Sequence, residues 1–522
     1  MKDILCSLCM GFALVGSTAC SNAGNGSTVH PDDIKTTAGN TGAAAAPGTS
    51  GTSSRGGAGG GLLLADGDAN SDADQMCDGG SCACPPGNTT TISGYVYDPA
   101  GKNPLYNISV YVPDPGSPLP DLEKVSVACG CSQLFPAKVR ATGAPTDATG
   151  HFEIPCAPSG TVSLVVQTGK WRRQYDGIAV TANQPNVVPN LRLPANSTEG
   201  SLPNIAISTG GYDSFECLPL RMGVSASEYV AGSATGGHIH IYSGYLGAAT
   251  AAGPVESYQN LWDTQAHMNE HDVVILSCEG QETTGGNPGK PVGAAEQALM
   301  MNYANGGGRV FASHYQYSWF NTGPFATAPN NIATWSAGPQ HLDDTISLPA
   351  IVNTTLSGGA AFPEGAALSQ WLNLVGALTN NQLPIWFARN NVQALASPPS
   401  TEWLHVDPSA ALAPSSTQYF SVDTPISPAG GPVCGRVVYS DVHVSGGPGV
   451  NAPGVAVDYP TAAGAGMGMG PGRGMPMVSG VVPTGCADHT LTPQEDALEF
   501  MLFDLSSCLV PIGQNPPMTT VK

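Results

Sequence analysis

From Thr91 the chain alternates apolar and polar positions in short runs broken by turn residues. Ile92-Ser93-Gly94-Tyr95-Val96-Tyr97 has the two-residue period of a strand with one buried face, and Asp98-Pro99-Ala100-Gly101 turns it back. Ile108 to Val112 is a second run, stopped by Pro113. Thr146-Asp147-Ala148-Thr149-Gly150 leads into His151-Phe152-Glu153-Ile154, and Val162 to Gln167 gives a further strand that ends at Gly169-Lys170-Trp171. Strands at this spacing, with Pro and Gly turns, predict an all-β sandwich over residues 90–195.

After Pro194 the period changes. Apolar runs begin at Ile205, His238, Asp272, Arg309 and Gly435, each short and nearly continuous. Between them lie helix-like stretches. One follows Gly211, Val255 to His271 reads as another, and Val292, Ala295, Leu299 and Tyr303 line one face of a third, which stops near Gly306. Thr492 caps the last helix with Glu495 answering three residues on, Pro493 in its first position, and Leu498, Met501, Leu502 and Leu505 as its stripe. Continuous apolar strands alternating with helices mean a parallel sheet covered on both faces, and right-handed crossovers favour a flavodoxin-like order. The expected fold is therefore multidomain: an all-β sandwich, then an α/β flavodoxin-like doubly wound parallel sheet over 203–509, then a tail at 510–522. An insertion from Asn321 to Gly430 contains one helix, with Leu368, Trp371, Leu372 and Val375 on one face, and aromatic residues suited to a core or to the roof of a carbohydrate cleft.

The first twenty residues have the pattern of an export signal. Lys2 precedes an apolar stretch, Ile4 to Val15, too short to cross a membrane as a helix. Ser17-Thr18-Ala19-Cys20 resembles a bacterial lipobox, with Cys20 as the lipidated residue; ordinary cleavage after Ala19 is the alternative. Residues 21–89 are a Gly-, Ser-, Thr- and Ala-rich linker with a Cys-rich end, too poor in large apolar residues to fold alone. Its Asp66 to Asp74 run lacks the spacing and closing Glu of a calcium loop and reads as a solvated acidic stretch. The location implied is exported: outer membrane-anchored, periplasmic or cell surface, touching the membrane only through a lipid anchor. The 18 Lys+Arg against 39 Asp+Glu give a net charge of -21, which disfavours nucleic acid as a partner.

Of 14 cysteines, Cys77, Cys82, Cys84, Cys129, Cys131 and Cys156 cluster around the sandwich. In an exported chain they read as three disulfides with 15 possible connectivities; zinc is the other use of Cys-x-Cys. In the second module Cys217 and Cys278 leave neighbouring strands side by side, and the last helix brings Cys508 to the edge where Cys434 starts its strand. Cys217–Cys278 and Cys434–Cys508 are the expected bonds there, with Cys486 left over.

Two resemblances emerge. Ile92-Ser93-Gly94-Tyr95-Val96, Thr146 to Phe152, and Pro158-Ser159-Gly160 before Val162-Ser163-Leu164-Val165 resemble the carboxypeptidase regulatory-like, transthyretin-type domain. Such modules are usually non-catalytic spacers or binding surfaces. Asp272 to Leu276, Tyr303 through Gly306-Gly307-Gly308 to Ser313-His314, and Gly435 to His443 resemble the class I glutamine amidotransferase-like superfamily, nearest its ThuA-like branch, which is associated with sugar metabolism. That family places a nucleophilic Cys on the turn after the strand matching Val310 to Ala312, where this chain has Ser313-His314-Tyr315. The family's His-x-Glu is His443-Val444-Ser445 here. Glutamine hydrolysis by that triad is not expected.

Sites in open α/β sheets form beyond the C-terminal ends of the strands, an edge that collects Asp213, Cys217, Cys278, Glu279, His314, Tyr315, Asp441 and His443. The leading expectation is an envelope lipoprotein with a binding or structural role, a carbohydrate or other envelope component as ligand, and no cofactor or metal. The alternative is a hydrolase or sugar-modifying enzyme with Cys278 as nucleophile, His314 and His443 beside it, and Glu279 as acid or base. Three weaker patterns carry less. His267-Met268-Asn269-Glu270-His271 matches H-x-x-E-H but has no third ligand in sight. Gly285 to Lys290 has the wrong spacing for a P-loop, and Met467, Met469, Met475 and Met477 punctuate a low-complexity insertion before they suggest Cu(I).

Overall fold

The alternation at Thr91–Tyr97 turns Ile92, Gly94 and Val96 inward, and this strand carries His151–Pro155 on one side and Leu191–Arg192 and Pro185–Val187 on the other. A second four-stranded sheet orders Val139–Thr142, Ser109–Pro113, Gly160–Thr168 and Trp171–Val180. Ile92, Val96, Phe152 and Ile154 of the first sheet share one apolar cluster with Val110, Val112, Leu164 and Val166 of the second. These facts come from a computed structural model, which describes residues 76–78, 81–245, 247, 255–280, 292–336, 342, 346–410, 416–426, 432–444, 486 and 490–514. Cys20, the Asp66 to Asp74 run, Gly285 to Lys290, Ser445 and Met467 to Met477 lie outside the described residues.

The architecture is strand-rich, with several sheets. The largest has ten strands: β1 Ile205–Ser208, β2 Tyr229–Ala231, β3 Ile239–Tyr242, β4 Val273–Leu276, β5 Arg309–Ser313, β6 Leu348–Val352, β7 Leu383–Ile385, β8 Ser400–Val406, β9 Thr417–Thr424 and β10 Gly435–Ser440. Their spatial order is β2-β3-β1-β4-β5-β10-β9-β8-β6-β7. The first six run parallel, with Ile205 opposite both Ile239 and Val273, and the last four continue the sheet antiparallel.

Three longer helices are α1 Ala294–Asn305, α2 Pro363–Leu374 and α3 Pro493–Ser506. One face of the sheet, with Ile205, Ile207, Ile275 and Phe311, packs with Leu498, Met501 and Leu502 of α3; the other, with Ala206, Val274, Val310 and Ala312, packs with Met300, Tyr303 and Ala304 of α1. The sandwich core belongs to the same cluster as the α3 face, and both modules lie in one compact unit, Asp68–Lys522. Helix α3 is therefore buried on two sides: Phe503 meets Trp171, and Phe500 stacks on Tyr106 of the sandwich.

Several expectations are corrected. Val255 to His271 is a 3-10 turn at Tyr258–Leu261 and a single α-turn at Gln265–Met268. Ser257 and Thr264 each cap a backbone N–H, so the chain restarts twice where one helix was expected. The stretch after Gly211 is likewise a 3-10 turn, Phe215–Cys217, and one α-turn, Leu218–Arg221. The insertion supplies β6 to β9, whose pattern is broken by Pro349 and Pro384, register partners of each other.

The cysteine pairing also differs. Cys434 and Cys508 do not bond to each other; they bond to Cys129 and Cys131. The loop at 125–134 runs past Gly307, Arg309 and Ser507, so it enters the space between the start of β10 and the end of α3 and takes each cysteine separately. Arg309 gathers this corner by donating to the carbonyls of Cys434, Gly307 and Leu505. Cys217 bonds to Cys486 and not to Cys278, which lies outside any disulfide. Cys84 pairs with Cys156 within the sandwich.

Candidate functional site

Four parallel strands deliver the site from their C-terminal ends. Residue 213 follows β1, 278 follows β4, 314 follows β5 and 443 follows β10. The β1 loop is pressed against the β4 loop: the backbone N–H groups of Tyr212 and Asp213 donate to the Cys278 carbonyl, and a side chain at Gly210 would collide with that same oxygen. The turn after β5 is sharp, with His314 at a φ of +39°, a left-handed conformation that costs a non-glycine residue free energy. It is held by the Tyr439 hydroxyl, 2.9 Å from the His314 carbonyl, and by Tyr315, whose ring lies 4.1 Å from the His314 ring.

The Cys278 Sγ lies 3.4 Å from His314 Nδ1. His314 Nε2 is 3.1 Å from Asn391 Oδ1, while Asn391 Nδ2 donates to the Ser336 carbonyl. That donation fixes the amide, so Nε2 carries the hydrogen and Nδ1 turns a lone pair to the thiol. His443 Nδ1 lies 2.9 Å from Asp213 Oδ2, an acceptor, so its hydrogen is on Nδ1. Its Nε2 is buried and has no hydrogen-bond partner among the described residues. Ser313 also donates to Asp213 Oδ2, and the Val444 N–H donates to Oδ1 at 2.9 Å.

Cys278, His314 and His443 are all buried, and their ligand atoms lie within 4.8 Å of one another. Burial foremost, then the Asp213 carboxylate, pushes the Cys278 thiol far up, so it stays protonated in neutral solution. Asp441 is raised to about 7 by burial, against the Tyr439 hydroxyl that donates to it and the nearby Arg389.

The structure thus brings together three of the four residues proposed from sequence. Glu279 is turned away, accepting the Tyr245 N–H at 2.8 Å. Asn391 went unnoticed in the sequence: it comes from the insertion, and no local motif marks it. The H-x-x-E-H pair separates, His267 facing Asp263 at the surface and His271 buried beside Tyr242 and His240. Within the insertion Trp371 and Trp403 are fully buried in the core, while Trp335 and Trp386 are partly buried. No described helix is long and apolar enough to cross a membrane.

No protein-family model and no curated protein matches the chain. Two solved chains are similar to parts of it, both from interface mutants of a type II cohesin–X-dockerin complex of Acetivibrio cellulolyticus. The C-terminal interface mutant is 16% identical over 23% of this chain and 76% of that chain, with a TM-score of 0.14. The N-terminal interface mutant is 15% identical over 29% of this chain and 88% of that chain, with a TM-score of 0.15. Superpositions that poor carry no argument about this chain's fold, partners or activity.

Proposed function

We propose that the protein is an exported, envelope-anchored binding protein whose large domain has the scaffold of the ThuA-like, class I glutamine amidotransferase-like superfamily without its glutaminase chemistry. The order β3-β1-β4-β5-β10 within the parallel part supports a flavodoxin-like scaffold. The apolar segment before Cys20 and the polar linker to residue 89 support export and tethering, and the sandwich supports a carboxypeptidase regulatory-like spacer. One observation carries the reading. The left-handed turn after β5, the place for a nucleophile, holds His314, while the nearby thiol of Cys278 is sealed from solvent and held protonated. Reactive cysteines need thiolate character and access, and Cys278 has neither.

A second reading has an observation of its own. Cys278, His314 and Asn391 stand in the sequence of nucleophile, base and orienting amide, the chain of contacts used in Cys–His–Asn hydrolysis. Differential alkylation at neutral pH separates the two. The binding reading expects Cys278 to resist alkylation until the chain is unfolded, and expects retention on envelope glycans without turnover. Rapid native-state alkylation, together with hydrolysis lost in Cys278→Ala, would sink it.

A further inference from the structure

We propose that Cys278, His314 and His443 are the three protein ligands of a borderline-soft transition-metal ion, zinc(II) or copper, with Asp213 and Asn391 supporting the two imidazoles. This rests on the binding reading and names a ligand for that same edge. Geometry comes first. Metal bonds of about 2.3 Å to sulfur and about 2.0–2.1 Å to nitrogen, at a tetrahedral angle, put the two donor atoms roughly 3.5 Å apart. The Cys278 Sγ and His314 Nδ1 stand at 3.4 Å, with His443 inside the same 4.8 Å group.

Lone-pair direction comes second. Asn391 fixes the hydrogen of His314 on Nε2, and Asp213 fixes that of His443 on Nδ1. Each ring therefore carries its lone pair on the remaining nitrogen, His314 Nδ1 and His443 Nε2. A ligating histidine usually donates its other N–H to a carboxylate or carbonyl oxygen, which fixes the tautomer and raises its basicity. Both rings here have that partner. Among the described residues the buried His443 Nε2 has no hydrogen-bond partner, as a nitrogen that accepts an ion would require. Elsewhere among the described residues His238 is engaged by Glu228 and Glu123 and His267 by Asp263, and the His240 and His271 rings meet at 4.7 Å without a Cys, Asp or Glu completing a three-ligand group.

Charge is the third argument. On binding, the Cys278 S–H bond breaks, its proton leaves to solvent, and a metal–sulfur bond forms. The thiolate and the Asp213 carboxylate behind His443 then offset the charge of a divalent ion. One thiolate with two neutral imidazoles suits zinc and copper and does not suit magnesium or calcium. Among the described residues no fourth Cys, His, Asp or Glu joins the group, which leaves the remaining position of a tetrahedral ion to an external donor.

The test uses the full chain, exported and purified without chelator or thiol reductant so that its disulfides stay closed. We expect about one zinc or copper per chain by elemental analysis. After stripping, cobalt(II) titration should give a thiolate-to-cobalt band in the near ultraviolet, and copper(II) an intense visible thiolate band if copper is the natural ion. Cys278→Ser should abolish both bands while keeping a cooperative thermal transition. Asp213→Asn should keep the cobalt band and weaken binding 10- to 100-fold. A folded wild-type protein that shows no thiolate band at excess cobalt(II), or a band that survives in Cys278→Ser, overturns the site. Substrate turnover that persists after chelation would instead sink the binding reading, whatever the cobalt spectrum shows.

Discussion

Asp213 Oδ2 stands 2.9 Å from His443 Nδ1, and both side chains are buried. The same carboxylate accepts from the Ser313 hydroxyl and the Val444 N–H, so it ties the ends of β1, β5 and β10 together. Asp213→Ala would leave three buried donors without an acceptor. At about 1–3 kcal/mol for each orphaned group, partly relieved by rearrangement, we expect a loss on the order of 3–5 kcal/mol. Asp213→Asn keeps an acceptor oxygen and should lose less. Urea denaturation with the disulfides intact measures both. An alanine variant within about 1 kcal/mol of wild type would show that this contact does not hold the edge together.

Cys278, His314 and His443 were legible because each follows an apolar run, and parallel strands bring their C-terminal ends to one edge. Asn391 was not, for it returns to the site through an insertion whose strands are interrupted by prolines. The disulfides failed for a related reason. The end of α3 and the start of β10 were placed near one another, but periodicity says nothing about a loop from another module entering between them. In α3 the stripe Leu498, Met501, Leu502 and Leu505 was read correctly, whereas Phe500 and Phe503 lie off it. Those two aromatics on the far side of the helix were the signal of a second buried face, against the sandwich.

The sandwich meets α3 through carboxyl groups whose ionisation burial opposes. Asp98 is raised to about 6 and Asp496 to about 7, and Glu499 is raised strongly by burial and by Asp98. Asn103 donates to Glu499 at 2.6 Å and to Asp496 at 3.3 Å. Over this window the folded chain holds protons that the unfolded chain has released. Their contribution is therefore complete below the ordinary carboxyl values and lost as pH rises through about 6 to 7. Glu499→Gln, which cannot ionise, should flatten the decline in melting temperature between pH 5 and pH 8. An unchanged slope would mean that these groups do not titrate together.

A second buried pair acts in the opposite direction. His271 is held down to about 3 by burial and by His240, whose ring lies 4.7 Å away, and His240 is also lowered by burial. Below the ordinary histidine value the unfolded chain takes up protons that the folded chain refuses. Stability present above about pH 6.5 is thus lost as pH falls toward 3, by an amount on the order of 5 kcal/mol for His271. His271→Phe removes the titration and leaves the Tyr242 hydroxyl without its ring nitrogen. We expect a modest loss at pH 7 and a shallower acid transition by circular dichroism. If wild type and variant unfold along parallel acid curves, the histidine pair is not what limits acid stability.

Cys129–Cys434 and Cys131–Cys508 fasten one loop of the sandwich to both sides of the Arg309 corner, closing sequence separations of 305 and 377 residues. Because the two bonds lie two residues apart at one end, either alone keeps the modules joined. Removing one still leaves the other limiting the unfolded chain, so a single Cys131→Ser/Cys508→Ser double variant should lose about 2–4 kcal/mol and remain folded. Removing both bonds releases the far longer loop as well, and the loss should exceed the sum of the two separate losses. Scanning calorimetry on the three variants supplies the comparison. Non-reducing peptide mapping supplies a prior check: a fragment linking Cys434 directly to Cys508 would contradict the pairing, and strictly additive losses would show that the two bonds act on independent parts of the chain.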